Sequence, residues 1–122
     1  MIYSVEEALS CTIIKLHPNR ATAEIAREFK DFLFSTIEES NKLHIILEIS
    51  KVEFMDSFFL GAIVSGLKKI RNVGGDIRLA DMQASLLPIF RLMHLDEVFQ
   101  IFPDLEQAKN SFLGINNTQE SE

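Results

Sequence analysis

Asp56 and Ser57 are the residues whose types and position most clearly suggest chemistry. They place a carboxylate beside a hydroxyl where the apolar segment Val52–Met55 gives way to a helical pattern. Either side chain can cap that helix, because its oxygen can accept a hydrogen bond from a backbone N–H that lacks an intrahelical partner. A phosphate on Ser57 would meet such N–H groups and the positive end of the helix dipole, while Asp56 would repel it. We therefore consider two roles for Ser57, a regulatory phosphoacceptor or a helix N-cap alone.

Two consecutive phenylalanines, Phe58 and Phe59, come directly after this corner. Neighbouring residues of a helix point about 100° apart, so we expect at least one ring to face outward as a docking anchor. Gly61, Ala62 and Ser65 form a face of small residues next to Phe58. That face permits close packing against the sheet or against a partner, and we expect the sheet.

The other residues with chemical potential are scattered. His17, His44 and His94 lie in separate elements without the spacing of metal ligands. Cys11 stands alone in an apolar run and is expected to be a small buried hydrophobe. The pair Gly74-Gly75 ends a helix and lacks the flanking residues of a phosphate-binding loop. The sequence therefore predicts no catalytic residues, no metal site and no cofactor.

The helix that follows Ser57 has apolar residues at the spacing that packs one helix face on a core. These residues are Leu60, Ile63, Val64, Leu67 and Ile70. Gly74 or Gly75 can adopt the left-handed conformation that ends a helix. The pattern predicts one amphipathic helix between Ser57 and the two glycines.

Strand-like and helix-like segments alternate along the rest of the chain. Strands are predicted at 2–6, 11–16, 43–49, 76–80 and 99–102, and further helices at 21–40, 85–93 and 104–112. The apolar stripe of the helix at 21–40 consists of Ala23, Ala26, Phe29, Leu33 and Ile37. This alternation predicts an α/β fold, with a mixed sheet of four to five strands and about four helices packed against it.

The composition fits a single domain. The 122-residue chain has 47% hydrophobic residues, 25% charged residues and a net charge of −6. Its 12 basic residues form no stripe, which disfavours a nucleic-acid partner and an anionic membrane surface. No apolar run is long enough to span a membrane, and the N-terminus lacks a signal-peptide pattern. We expect a cytoplasmic protein with no membrane insertion, a domain at 1–113, and a polar, disordered tail at 114–122.

Several segments together carry a family pattern that covers about residues 11–112. The pattern comprises Phe54-Met55-Asp56-Ser57-x-x-Leu60-Gly61, then Gly74-Gly75, Ile77-Arg78-Leu79, Ile89-Phe90-x-Leu92-x-x-Leu95 and Val98-Phe99-x-Ile101-Phe102. In these segments the chain resembles the STAS domain of bacterial anti-sigma factor antagonists.

The resemblance implies a small α/β domain that switches partners and is not an enzyme. Unphosphorylated members of the family bind an anti-sigma factor that is also a serine kinase, and so free the sigma factor. The kinase phosphorylates the serine after the motif aspartate, and a PP2C-type phosphatase reverses this. In this chain the serine position is Ser57, and the aspartate before it is Asp56.

Two departures from the family pattern affect the predicted partner surface. Phe58-Phe59 stand where the family has a small residue and a glycine, so they would either block close backbone approach by a partner or convert it into an apolar contact. The segment His17-Pro18-Asn19-Arg20 replaces the family's loop after the second strand, which lies beside the serine and helps form the partner surface. The candidate partner-binding residues are Asp56, Phe58, Phe59, Asn19 and Arg20.

An alternative stays open. The chain would then be a constitutive STAS interaction or scaffold module, as in a transporter or a stress-signalling assembly. In that case Ser57 is only a cap, and Phe58 or Phe59 is a permanent interface anchor.

Overall fold

The fold is built on a five-stranded mixed sheet. The computed structural model describes residues 2–39 and 43–120, with side chains through Leu113. Along these residues the strands are β1 (Tyr3–Glu7), β2 (Thr12–Leu16), β3 (Arg20–Ala21), β4 (His44–Glu48), β5 (Phe54–Met55), β6 (Asp76–Ala80) and β7 (Ile101–Phe102). The sheet has the order β1-β2-β4-β6-β7, in which only the β1–β2 pair is antiparallel. Its parallel pairs require crossover connections, and helices supply them.

The helices are α1 (Ala23–Glu39), α2 (Ser57–Arg71), α3 (Leu87–Leu92) and α4 (Leu105–Glu120), with 3₁₀ turns at Ala84–Leu86 and Leu95–Glu97. The predicted stop of α2 is confirmed. Asn72 is its C-cap, and Gly74 has a φ of 88°, a left-handed conformation that glycine adopts without steric cost. Pro88 lies in the first turn of α3, where its missing N–H removes no helical hydrogen bond.

Side chains of the central strands alternate between two cores. In β4, Ile45 and Leu47 belong to the larger core, which also contains the buried faces of α1 and α2. Ile46, between them, belongs to a smaller core that includes Phe112 of α4. This alternation is the two-residue period of a strand, and burial on both faces explains the nearly continuous apolar run at 43–49. The sheet therefore carries helices on both faces.

A buried arginine fixes α4 to the sheet. The Arg78 guanidinium lies 4.1 Å from the centroid of the Phe112 ring, and it donates hydrogen bonds to Ser111 Oγ (2.7 Å) and Asp76 Oδ2 (3.1 Å). The His44 ring also stacks on Phe112, with centroids 4.3 Å apart. Because the buried charge is both paired and hydrogen-bonded, Arg78 avoids the large cost of an isolated buried cation.

A second, two-stranded ladder positions the start of two helices. In the parallel pair β3–β5, Arg20 lies opposite Phe54, and Ala21 lies opposite Met55. β3 leads almost directly into α1, and β5 leads almost directly into α2. Since the two strands are parallel, α1 and α2 begin at the same edge of the domain and run side by side in the same direction.

The α/β fold with a mixed sheet is the predicted one, and the differences lie at the ends of elements. α1 begins at Ala23, which is exposed and does not belong to the buried stripe. The last strand is confined to Ile101–Phe102, because Phe99 packs into the core beside a 3₁₀ turn. α4 continues to Glu120, past its predicted end at residue 112 and into the predicted tail.

Two predicted boundaries, the end of α1 and the start of the tail, stay predictions. The predicted end of α1 near residue 40 and the last two positions of the tail lie outside the described residues. The division into a domain at 1–113 and a tail at 114–122 stays a prediction.

Candidate partner-binding site

Asp56 is the N-cap of α2. Its backbone is extended (φ −97°, ψ 175°), and its Oδ1 accepts a hydrogen bond from the Phe59 N–H at 2.9 Å. The Asp56 carbonyl also accepts the first bond of the helix, from the Leu60 N–H at 3.1 Å. This is the geometry of a side-chain cap. Of the two residues that the sequence offered for this role, Asp56 takes it.

The same carboxylate also binds the start of α1. Asp56 Oδ2 accepts a hydrogen bond from the Ala23 N–H at 2.8 Å. One side chain therefore satisfies an N-terminal N–H of each of two parallel helices, and the positive ends of both helix dipoles meet at this corner. The sequence could not show this second bond, because it joins residues 33 positions apart.

Ser57 is the first residue of α2, and its side chain is exposed. Within the part of the chain that the structure describes, its hydroxyl has no hydrogen-bond partner. The alternative role for Ser57, a helix N-cap, is therefore wrong for this chain, since Asp56 already caps the helix. The structure leaves the Ser57 hydroxyl open to solvent at a helix N-terminus.

The two phenylalanines after Ser57 differ completely in burial. Phe58 is 69% exposed, whereas Phe59 is fully buried and stacks on Phe29 of α1 with ring centroids 5.0 Å apart. The prediction that Phe59 contacts a partner is therefore corrected, because its ring is part of the core. The sequence contained a signal for this, since Phe59 lies four residues before Ile63 on the buried stripe of α2.

Asn19 and Arg20, the first residue of β3, lie beside the corner. The Asn19 carbonyl accepts hydrogen bonds from the N–H groups of Glu53 (2.8 Å) and Phe54 (3.2 Å). The Arg20 guanidinium lies 4.4 Å from the centroid of the Phe54 ring. Asn19 and Arg20 are both exposed, and Phe54 is 42% exposed. The structure thus brings Asn19, Arg20 and Asp56 together on one exposed corner.

An open groove of about 640 Å³ runs between α1 and α2 from this corner. It is lined by Ala23, Ala26, Arg27, Lys30, Asp31, Ser57, Phe58, Gly61, Ala62 and Ser65. The small-residue face of α2 therefore borders this groove, and the expectation that it packs on the sheet is wrong. The sheet side of α2 is formed instead by larger residues such as Leu60 and Ile63.

Three charged residues of the groove, Arg27, Lys30 and Asp31, were missed by sequence reasoning. They lie off the apolar stripe of α1, so the pattern marked them only as part of a polar face. The pairing of β3 with β5 is what places this face beside α2, and two-residue strands leave no periodic signal.

The other polar candidates have local partners. His17 Nε2 lies 2.9 Å from Ser4 Oγ, and His44 Nδ1 lies 3.2 Å from the Ser10 carbonyl. His94 Nδ1 lies 3.2 Å from the exposed carboxylate of Glu97, and Cys11 is fully buried. Among the residues described, no three His, Cys, Asp or Glu side chains converge as metal ligands do. No helix in the same residues is long and apolar enough to cross a bilayer.

Comparison with known proteins places the chain in a family. The sequence pattern of the STAS domain matches residues 4–108. The chain therefore belongs to the STAS domain family, whose α/β fold is the one described above.

Relatives in this family include proteins named as anti-sigma factor antagonists. A candidate anti-sigma factor antagonist of Thermotoga neapolitana is 30% identical over 103 residues, covering 84% of this chain and 91% of that protein. The crystal structure of a candidate antagonist from Thermotoga maritima has a TM-score of 0.78 at 29% identity, covering 90% of this chain and 93% of that one.

SpoIIAA, an anti-sigma factor antagonist, shares the fold. Its unphosphorylated form has a TM-score of 0.80 at 17% identity and covers 92% of this chain and 96% of that one. The structure of its phosphorylated form, from Bacillus, has a TM-score of 0.70. At this level of identity the likeness concerns the fold.

Proposed function

We propose that this STAS domain is an anti-sigma factor antagonist whose partner binding is controlled by phosphorylation of Ser57. In its unphosphorylated form it binds an anti-sigma factor that is also a serine kinase. Phosphorylation of Ser57 by that kinase releases the partner, and a PP2C-type phosphatase restores binding. The chain acts by binding, and it catalyses no reaction itself.

The main support for this proposal is that Ser57 is exposed and does not cap α2. A kinase needs an accessible hydroxyl, and the Ser57 hydroxyl meets this need. Asp56 performs the capping, so a phosphate on Ser57 leaves both helix starts hydrogen-bonded. Modification at this position is therefore compatible with the fold.

The charge at the corner supports release of the partner. Phosphorylation adds about −1.5 to −2 charges at neutral pH, next to the carboxylate of Asp56. A partner that fits the unmodified corner would have to bury this added charge against Asp56, which is unfavourable. The proposed contact residues are Asp56, Phe58, Asn19 and Arg20, with Phe59 supporting the corner from the core.

Intact-mass spectrometry of the protein purified from its native cells tests the proposal. Wild type should carry a single phosphoryl adduct that Ser57→Ala lacks. Ser65→Ala is a matched control, because Ser65 lines the same groove on the same helix and should leave the adduct in place. Unphosphorylated protein used as bait should capture the kinase, and the Ser57→Glu variant should capture none of it.

A constitutive interaction module is the second candidate, and the exposure of Phe58 favours it. A ring that is 69% exposed is an apolar contact that needs no phosphate to act as an interface anchor. This candidate predicts no adduct in any growth phase. It also predicts a stable complex that Ser57→Glu preserves and Phe58→Ala disrupts, and that pair of results would refute the switch.

A further inference from the structure

Arg27 is an exposed cation on the α1 wall of the groove that Ser57 also lines. Within residues 2–39 and 43–120, its guanidinium forms no hydrogen bond and no ion pair. Its N–H donors therefore have no acceptor among the described residues, and they line the same groove as a hydroxyl proposed to gain phosphate.

The parallel start of the two helices sets the geometry of this pair. The bond from the Ala23 N–H to Asp56 holds the first turn of α1 against the residue that precedes Ser57. Arg27 is one turn farther along α1, a rise of about 6 Å. Side chains of a helix tilt toward its N-terminus, so Arg27 leans toward the end of the groove where Ser57 lies.

The other charges of the groove lie farther from that end. Lys30 is the next cation along α1, and its Nζ sits 5.4 Å from the centroid of the Phe34 ring, one turn beyond. Asp31, also on this wall, is farther from the helix start than Arg27 is. Asp56 directly precedes Ser57 in the chain. Among the residues that line the groove, Arg27 is therefore the cation nearest the start of α1, and Lys30 and Asp31 lie three and four residues farther along the helix. Arg20, the other cation of this corner, lies over the Phe54 ring.

We propose that the guanidinium of Arg27 binds the phosphate of phosphorylated Ser57 within the same molecule. The fork of N–H donors on arginine matches phosphate oxygens in a bidentate way that a lysine ammonium cannot reproduce. The resulting bridge joins α1 to α2 across the mouth of the groove. Phosphorylation then closes the groove as well as adding charge. This inference rests on the proposed function, because it requires phosphate on Ser57.

Titration of the phosphate by ³¹P NMR tests the bridge in isolated protein. Phosphoserine is installed at position 57 during translation, so neither kinase nor partner is needed. The second pKa of phosphoserine is about 6 and is lowered by a bound cation. Arg27→Gln should raise this pKa by roughly half a unit at low salt. Lys30→Gln removes the same charge from the same wall and should shift it much less, while Arg27→Lys should fall between wild type and Arg27→Gln.

Two outcomes overturn the bridge. Identical titrations in wild type and Arg27→Gln would show that the guanidinium does not reach the phosphate. Equal shifts in Arg27→Gln and Lys30→Gln would show a general effect of groove charge without a specific contact. Failure of the proposed function is separate, because it appears as a missing phosphoryl adduct in native cells and leaves the titration unchanged.

Discussion

At the scale of single residues, Asp56 combines two duties that proteins usually give to separate side chains. Each of its carboxylate oxygens accepts one backbone N–H, from Phe59 in α2 and from Ala23 in α1. A carboxylate can accept at both oxygens, whereas an amide can accept only at one. Substitutions at this position can therefore remove one bond or both.

Asp56→Ala should lower the free energy of unfolding by about 2 kcal/mol, since each lost cap costs about 1 kcal/mol. Asp56→Asn should lower it by about 1 kcal/mol, because the amide oxygen keeps one of the two bonds. Urea denaturation at neutral pH measures both values. Equal costs for the two variants would contradict this, because they would mean that the one bond that asparagine keeps adds nothing to stability.

The different burial of Phe58 and Phe59 leads to the second prediction for single residues. Phe59→Ala should lower the free energy of unfolding by about 3–5 kcal/mol, because it leaves a cavity against Phe29 in the core. Phe58→Ala should change it by no more than about 0.5 kcal/mol, as is usual for an exposed position. Denaturant midpoints of the two variants give the comparison. Similar midpoints would contradict the burial described for Phe59.

At the scale of elements, two glycines at the two ends of α2 have opposite surroundings. A methyl group on Gly61 would meet no atom within 4 Å. A methyl group on Gly75 would collide with the backbone carbonyl oxygen of Leu43, and it would lie 2.7 Å from Ile70 Cγ1. The first glycine sits on the open groove, and the second allows the helix to return closely to the sheet.

Gly61→Ala should raise the free energy of unfolding by about 0.5–1 kcal/mol, because alanine loses less backbone entropy than glycine in a helix. Gly75→Ala should lower it by about 1–3 kcal/mol through steric overlap with fixed backbone. Thermal unfolding of the two variants beside wild type tests both signs. A stabilised Gly75→Ala variant would show that the chain near Leu43 moves freely.

The individual elements differ in how well the sequence predicts them. The stripe of α2, the glycine stop and the apolar run of β4 are periodic or local signals, and the structure contains each of them. The β3–β5 ladder is different, because two paired residues carry no period and depend on segments far apart in the chain. The groove and its charged wall depend on that ladder. The corner around Ser57 was therefore predictable from the sequence, but the charged wall of α1 on the same groove was not.

At the scale of the whole molecule, parallel strands collect acidic residues at one edge of the sheet. Glu48 ends β4, Asp81 follows β6, and Asp104 follows β7, and these strands are adjacent and parallel. Burial raises the pKa of Asp81 above its ordinary value of 3.8, and the charges of Glu48 and Asp104 raise it further. The folded protein, whose net charge is already −6, thus holds this carboxylate in an unfavourable environment.

This shift predicts how stability depends on pH. A carboxyl group whose pKa is higher in the folded state favours folding below its unfolded pKa, and this contribution disappears as the pH rises through the folded value. Asp81→Asn should therefore raise the melting temperature at pH 7, and the gain should vanish as the pH falls toward 3.8. Asparagine also tolerates the left-handed φ of 62° at this position.

Melting temperatures between pH 7 and pH 3.8 check this dependence. Asp96→Asn, at an exposed carboxylate outside the cluster, controls for the loss of one negative charge. A gain for Asp81→Asn that stays constant across the range would contradict the assignment.

The bond between Asp56 and Ala23 has a consequence for how the corner is recognised. The surroundings of Ser57 come from two segments 33 positions apart, and they exist only once α1 has docked beside α2. A short synthetic peptide around Ser57 would contain the serine but neither the shared cap nor the opposite wall. Any binder or antibody specific for this corner must therefore read a discontinuous epitope, and its signal would report that the domain is folded.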